Sequence, residues 1–387
     1  FVHLYVKDNT EEPGGKFEDY GIYTQVEQLN KTALKSHGLD SNGQLYKINS
    51  FEFYRYEDII KKEDDAGYDK TAFEKMLEIK GDSDHTKLID MLTDLNDYSI
   101  GIEDVLKEHF DEENIVYWMA FQILMGNVDT QNRNVYLYSP LNSDIWYFIA
   151  WDNDGCLMRP EYELRNFSDQ NSWEKGISNY WGNILFQRCL KSRSFREKLN
   201  DAILDLREYL NKDMLTSKIE SYKNVLKPYL YLMPDAEYEP LTSEQYDQIA
   251  ASLPDEIEKN YQLYLESLET PMPFYIGVPT IDGDKLKFNW DVSYDLDAED
   301  ITYSVEVAGD YLFRDVIYQN TTLTVPEAEM DLPKAGQYFV RVRATNTSGK
   351  TQDAFDYYVT DEGKYYGMRC FYITEDSTVE EDDYEEG

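Results

Sequence analysis

Three carboxylates and an amide with a spacing that could do chemistry fall within residues 126–154 of this 387-residue sequence. GNVDTQNRNVYLY (126–138) sets Asp129 five residues ahead of Asn134, and WYFIAWDND (146–154) ends on Asp152 and Asp154. Carboxylates and amides are the oxygen donors that hard cations prefer, and a carboxylate also accepts a proton. Glycosidases work with two carboxylates, and calcium loops gather several oxygens. Phosphoryl transfer needs one carboxylate to take the nucleophile's proton and two oxygen ligands to hold Mg²⁺ against the phosphates. The plainest account of Asp129 and Asn134 is a polar turn, since both residue types favour turns. Asp152 resists that account, because it follows six mostly apolar residues and a carboxylate placed there needs a metal, a cation or hydrogen bonds. D-x-D-G at 152–155 runs into Cys156 and Leu157, where a calcium loop requires further oxygens. The strand–helix repeat of a barrel glycosidase is absent.

A helix and two strands must deliver these groups. DEENIVYWMAFQILMGN (111–127) is apolar almost all round, which predicts a buried helix, capped by Asp111 or Glu112, that hands the chain to Asp129. VYLYS (135–139) and IWYFIAW (145–151) are predicted strands joined by the turn PLNSD. Upstream, FVHLYV (1–6) and GIYTQVEQL (21–29) predict a hairpin around the turn EEPGGKFEDY (11–20), and NKTALKSHG (30–38) a short helix stopped by Gly38. AFEKMLEI (72–79), TKLIDMLTDL (86–95) and IEDVLKEHF (102–110) read as helices, as do 183–213, 214–230 and 243–268 beyond a loop at 155–180.

From PMP (271–273) the period switches to two. Strands at 285–293, 301–309, 312–320, 321–327, 336–346 and 353–360 describe a β-sandwich. TEDSTVEEDDYEEG (374–387) carries like charge with almost no apolar content, which predicts a disordered linker. Trp118, Phe121, Trp146 and Trp151 are assigned to the core. Trp173, Tyr180 and Trp181 fall in a loop and are assigned to packing, with a substrate or partner surface as the alternative. Arg133 is assigned a structural pairing with a loop carboxylate.

The totals exclude several classes. With 42% apolar and 29% charged residues over 387, the chain is globular and has room for two or three domains. Its 76 acidic against 37 basic side chains repel phosphate backbones and anionic lipid, so nucleic acid and membrane surfaces are not expected partners. Such a balance suits a protein kept soluble outside the cell. Cys156, Cys189 and Cys370 are too few for a disulfide framework or thiolate cluster, and the four histidines share no ligand spacing. The longest apolar run (115–125) is shorter than the roughly 20 residues that span a bilayer. Opening on FVHLYVKD, the sequence reads as a fragment or processed chain whose N-terminus lies upstream.

Helix, D-x4-N, strand pair and WDxD in this order resemble the layout that protein kinases and aminoglycoside kinases use around the γ-phosphate of ATP. The run MGNVDTQNRNVYLY…WYFIAWDND resembles the signature of the CotH family of bacterial spore-coat kinases. YGIYTQVEQLNKTALKSHG (20–38), GQLYKI (43–48) and ILFQRCLKSRSFREKL (184–199) resemble further segments of that family, and the resemblance covers about residues 1 to 235. It implies that Asp129 is the catalytic base, that Asn134 and Asp152 bind Mg²⁺, and that Asp154 is a second acidic group at the metal. It also implies a hinge whose backbone around Glu27, Gln28 and Leu29 meets adenine. The family's phosphate-gripping loop and ATP-binding lysine lie upstream of a segment like FVHLYV, so neither Lys47 nor Lys80 is placed on a phosphate. Trp290 and Tyr338 resemble a fibronectin type III module, in which the tyrosine hydroxyl ties down a sheet corner.

The expected fold class is therefore α+β. An atypical protein-kinase-like domain spans 1–270, with an incomplete N-lobe and hinge at 1–38 and a mostly helical C-lobe at 39–270. An all-β fibronectin III or immunoglobulin-like sandwich follows at 271–360, then an acidic tail or linker at 361–387. The expected function is Mg²⁺-dependent transfer of phosphate from ATP to serine or threonine of a protein acceptor, such as a coat or surface protein. The expected location is the cell surface or exterior, the spore coat included. A non-catalytic adhesin or scaffold on a degenerate kinase core is the second reading, suggested by 34 tyrosines, the sandwich and the acidic surface. The incomplete N-lobe is a reason for this stretch to be inactive, and the sequence leaves both outcomes open.

Overall fold

The structure, a computed structural model, describes residues 1–8, 10, 15–165, 173–361 and 363–381. These fall into two compact units that do not follow chain order: 1–165 with 192–260, and 173–191 with 261–381.

In the first unit β1 (Val2–Val6) and β2 (Glu18–Tyr23) pair antiparallel as the expected hairpin, whose turn residues 11–14 lie outside the described residues. Residues 24–29, read as the rest of a strand, form none. Asn30 caps α1 (Lys31–Ser36) by accepting from the Thr32 and Ala33 amides, and Gly38 ends that segment at φ +73°. β3 (Gln44–Ile48) follows. The single helix expected at 72–79 is corrected to α2 (Lys70–Met76) and β4 (Leu77–Ile79), because Leu77 turns extended and the segment pairs with β3.

Next come α3 (Thr86–Asn96), α4 (Ile102–His109) and α5 (Glu112–Met125). α5 buries Ile115, Val116, Trp118, Met119, Ala120, Ile123 and Leu124, and so has no polar face. Asp111 caps it by accepting from the Asn114 amide at 2.9 Å, and Gly126 ends it in the left-handed region. A Cβ on Gly126 would stand 2.7 Å from Asn260 Nδ2, so both φ and space require glycine there. β5 (Val135–Ser139) and β6 (Tyr147–Ala150) complete an antiparallel sheet ordered β4-β3-β5-β6. Strand alternation gives that sheet two faces. Tyr46, Ile48, Val135, Leu137 and Phe148 are buried on one face, where Trp118 of α5 meets Phe148 at 5.0 Å. Leu45, Tyr136 and Tyr138 lie on the other with Leu34, and Leu29, Tyr147, Ile149 and Trp151 pack against them.

Three helical expectations are revised beyond β6. α6 (Arg159–Arg165) lies in the stretch read as loop, of which 166–172 fall outside the described residues. The run 183–213 is broken at Ser192 into α7 (Ile184–Lys191) and α8 (Arg193–Tyr209), since Ser192 leaves helical geometry (ψ 124°) and caps Phe195. α9 (Lys212–Leu230) follows, and Pro254 divides 243–268 into α10 (Ser243–Ser252) and α11 (Glu256–Glu269).

The second unit holds α7 and most of α11 together with an antiparallel β region. Its strands are β7 (Thr280–Asp282), β8 (Lys285–Asn289), β9 (Ile301–Ala308), β10 (Val316–Leu323), β11 (Glu327–Asp331), β12 (Gly336–Asn346), β13 (Thr351–Asp353), β14 (Tyr357–Thr360), β15 (Gly363–Tyr366), β16 (Met368–Ile373) and β17 (Val379–Glu381). β10-β9-β12-β16-β17, with β13 beside β12, and β11-β8-β7 are separate sheets, and β14 pairs with β15. The two larger sheets share one core: Leu286 and Phe288 meet Tyr303, Val305, Val307, Val340, Val342 and Phe371. Trp290 joins that core, and the Tyr338 hydroxyl donates to the Lys334 carbonyl at 2.9 Å.

The acidic tail expected at 361–387 is corrected. β15, β16 and β17 occupy 363–381, β16 pairs with β12 along its length, and Met368, Cys370, Phe371 and Ile373 are buried. Burial of MRCFYI outweighs the repulsion of the acidic run beside it; residues 382–387 lie outside the described residues. Tyr180 and Trp181 are buried in this unit and Trp173 packs edge-on to Phe355 at 5.1 Å, so these loop aromatics serve packing.

Candidate active site

Two loops at one end of the β4-β3-β5-β6 sheet carry the four oxygen-bearing side chains. The first leaves α5 at Gly126. Asn127 is 2% exposed, donates through Nδ2 to Gln122 Oε1 at 3.0 Å and accepts at Oδ1 from the Asp129 amide at 3.4 Å. That contact caps a 3₁₀ turn at Val128–Thr130, on which Asp129 stands half-buried. The Asp129 carboxylate is then held from both sides: Arg133 reaches Oδ1 through Nε at 2.6 Å and Nη2 at 2.5 Å, and Asn134 Nδ2 donates to Oδ2 at 2.7 Å. Asn134 sits at φ +57°, a conformation asparagine tolerates better than most residues, and its amide donates to the Ile48 carbonyl of β3 at 3.2 Å. With Nδ2 bound to Asp129, the opposite end of the amide, Oδ1, is the end available to a cation.

The second loop leaves β6. Trp151 packs edge-on to Tyr136 at 5.3 Å, and Asp152 turns left-handed at φ +55°. Asn153 Oδ1 accepts from Gln122 Nε2 at 3.2 Å and from Asn127 Nδ2 at 3.4 Å, which ties this loop to α5 and to the first loop. Gly155 brings them into contact: a Cβ there would lie 2.8 Å from Asn127 Oδ1 and 3.9 Å from the Asp129 Cβ. Gly155→Ala is therefore expected to force Asn127 and the Asp129 loop away from the WDND loop and to lower the melting temperature by a few degrees. A thermal melt checks this, since an unchanged melting temperature would show that the loop contact does not matter.

The electrostatics tie the three predicted carboxylates together. Burial pushes the Asp152 carboxyl above the usual range, the charge of Asp154 and a hydrogen bond with it push further, Lys47 opposes, and Asp129 adds a smaller repulsion. Two carboxyls that share a hydrogen bond occupy the kind of place a divalent cation relieves. Among the described residues no group of three histidine, cysteine, aspartate or glutamate side chains converges to hold a metal alone. This donor set suits Mg²⁺ better than Ca²⁺ or Zn²⁺, because Mg²⁺ is commonly held by one or two carboxylates, with waters and substrate phosphates completing its shell.

Cys156, next along, is pushed up to about 12, first by burial and then by the Asp154 charge, with a hydrogen bond to Asn127 opposing. At pH 8 its thiolate fraction is on the order of 10⁻⁴, so iodoacetamide is expected to leave Cys156 unmodified in the native protein and to label it after unfolding. Labelling of the native Cys156 peptide at the rate of a free thiol, read by mass spectrometry, would contradict that.

The proposed hinge divides. Leu29 packs on the sheet face that carries Trp151, but Glu27 and Gln28 are exposed, and Glu27 is occupied by His37 at 2.7 Å. Lys80 pairs with Glu78 at 2.5 Å. The carboxylate assigned to Arg133 proves to be Asp129 itself. The amides of Gln122, Asn127 and Asn153 were not anticipated, although two of them flank the aspartates in the sequence.

Residues 1–264 match the family described as CotH kinase protein. The chain belongs to the CotH family. The CotH match covers the whole β4-β3-β5-β6 sheet, both loops and α1 to α10, ends within α11, and does not include β7 to β17. No curated protein matches the chain. This CotH chain is thus kinase-like by family, and the family is associated with the spore coat. No helix among the described residues is long and apolar enough to cross a membrane.

Proposed function

We propose that this CotH-family protein transfers the γ-phosphoryl group of ATP to a serine or threonine hydroxyl of a protein acceptor. The observation that carries the reading is the packing of Gly155 against Asn127 and Asp129, which joins the D-x4-N loop to the WDND loop. Asn134 Oδ1, Asp152 and Asp154 would hold Mg²⁺, which when bound would offset the phosphate charge. Asp129 takes the proton of the acceptor hydroxyl as the hydroxyl oxygen bonds to phosphorus. The bond from phosphorus to the bridging oxygen breaks, and ADP leaves with that oxygen's electron pair. Arg133 and Asn134 hold the Asp129 carboxylate in one orientation, and so keep the acceptor's approach fixed.

The β7–β17 unit is read as a fibronectin III-like module, supported by two sheets over one core and by the Tyr338–Lys334 bond. A net charge of -39 suits a surface or spore-coat protein. Incubating the full-length protein with γ-labelled ATP and candidate coat proteins, with Mg²⁺ and with chelator, tests the reaction. Label on serine or threonine that requires the metal supports it, whereas free phosphate alone or no turnover would overturn it.

A further inference from the structure

β3 carries a lysine that the reaction above leaves without a task. Along that strand Tyr46 and Ile48 are buried on the α5 side, which puts Leu45 and Lys47 on the other face. Leu45 belongs there to the core of Leu34, Tyr136 and Tyr138, with Leu29, Ile149 and Trp151 packed against it. Lys47 is half-buried at the end of this surface, one residue before Ile48, whose carbonyl receives the Asn134 amide at 3.2 Å. Its lateral neighbours in the sheet register are Tyr136 on β5 and Glu78 on β4. Glu78 is taken by Lys80 at 2.5 Å, and among the described residues Lys47 forms no ion pair. Its charge nevertheless reaches Asp152. Arg133, the other cation at these loops, is engaged by Asp129.

A triphosphate entering beside Asp129, Asp152 and Asp154 meets three carboxylates, and a single divalent cation offsets only part of that repulsion. An ammonium on a flexible stem, close to the metal carboxylates but not paired with them, supplies the rest. We infer that Lys47 binds a non-bridging phosphate oxygen of the nucleotide, from the sheet face that also carries Leu29 and Trp151. This rests on the phosphotransfer reading and gives it a cation supplied by the chain between β2 and the D-x4-N loop.

Affinities of the full-length protein for Mg²⁺-ATP by calorimetry, and for adenosine by ligand-detected NMR, test the assignment with Lys47→Met and Lys47→Arg. Removing a charge-assisted hydrogen bond is expected to weaken Mg²⁺-ATP about 10–100-fold in Lys47→Met, with adenosine unchanged and Lys47→Arg within a few-fold of wild type. Wild-type affinity for Mg²⁺-ATP in Lys47→Met overturns the inference alone. An equal loss for adenosine also overturns it, because the lysine would then support the pocket rather than the phosphate. No binding of Mg²⁺-ATP to the wild type overturns the phosphotransfer reading and this inference together. Lys47→Gln gives the same comparison should the methionine variant not fold.

Discussion

Asp129→Asn is expected to lower the rate of phosphotransfer by about 10²–10⁴-fold while the protein stays folded, the range by which a positioned proton acceptor accelerates such steps. Asparagine keeps the shape of the side chain and still offers an oxygen to Asn134 Nδ2, so the loop retains its geometry. The ion pair with Arg133 is lost, but both partners are substantially exposed, 40% and 54%, and exposed pairs contribute only about 0–1 kcal/mol. The melting temperature should therefore move by no more than a few degrees. Nucleotide affinity should change little, because Asn134, Asp152 and Asp154 are untouched. The distinguishing pattern is a collapse in kcat with the KM for ATP nearly preserved. Transfer at the wild-type rate would remove Asp129 from the mechanism.

Asp152→Asn should act at the other step. Asp152 sits at φ +55°, where asparagine is tolerated, so the substitution changes charge without straining the loop, whereas alanine there would do both. Losing one of two carboxylate ligands should weaken Mg²⁺-dependent nucleotide binding by more than about 100-fold, beyond the 10–100-fold range seen for partners that only support a ligand. The sign with pH follows from the raised Asp152 carboxyl. A carboxyl whose folded value lies above its unfolded one stabilises the protein while protonated, and that contribution is lost as pH rises through the folded value. At neutral pH the metal-free wild type therefore carries repulsion between Asp152 and Asp154, and the metal-free variant should melt no lower than wild type. Protons and Mg²⁺ compete for the pair, so Mg²⁺-nucleotide affinity in the wild type should fall on acidification earlier than an ordinary aspartate would cause. A variant that binds metal and nucleotide as wild type does, or that unfolds, would contradict this assignment.

What the sequence discloses about this site is what burial and charge write locally. VYLYS and the apolar helix 112–125 are uninterrupted because both are enclosed, and an aspartate at the end of an apolar strand is conspicuous. Breaks that depend on a distant partner are not written that way. LEI at 77–79 fits a helix and a strand equally, and pairing with β3 decides it. Ser192 interrupts an amphipathic pattern whose period runs through it, and only its cap on Phe195 reveals the end of a helix. MRCFYI is short and lies beside a strongly acidic run, so average composition conceals a strand that β12 makes interior.

The chemistry divides in the same way. Asp129, Asn134, Asp152 and Asp154 are visible from residue type and order. The amides of Gln122, Asn127 and Asn153, and the closeness of Gly155 to Asn127, emerge only when α5 and β6 bring the loops together. The division of the chain was hidden for a related reason. Residues 173–191 pack with strands that lie far along the sequence, and local period says nothing of that.

Anomalous diffraction from the full-length protein crystallised with Mn²⁺ and a non-hydrolysable ATP analogue locates the metal directly. The expected peak touches Asn134 Oδ1, Asp152 and Asp154, with the terminal phosphorus of the analogue facing Asp129. A metal–nucleotide pair bound elsewhere, or bound here with both aspartates turned away from the metal, would contradict a phosphotransfer centre at these two loops.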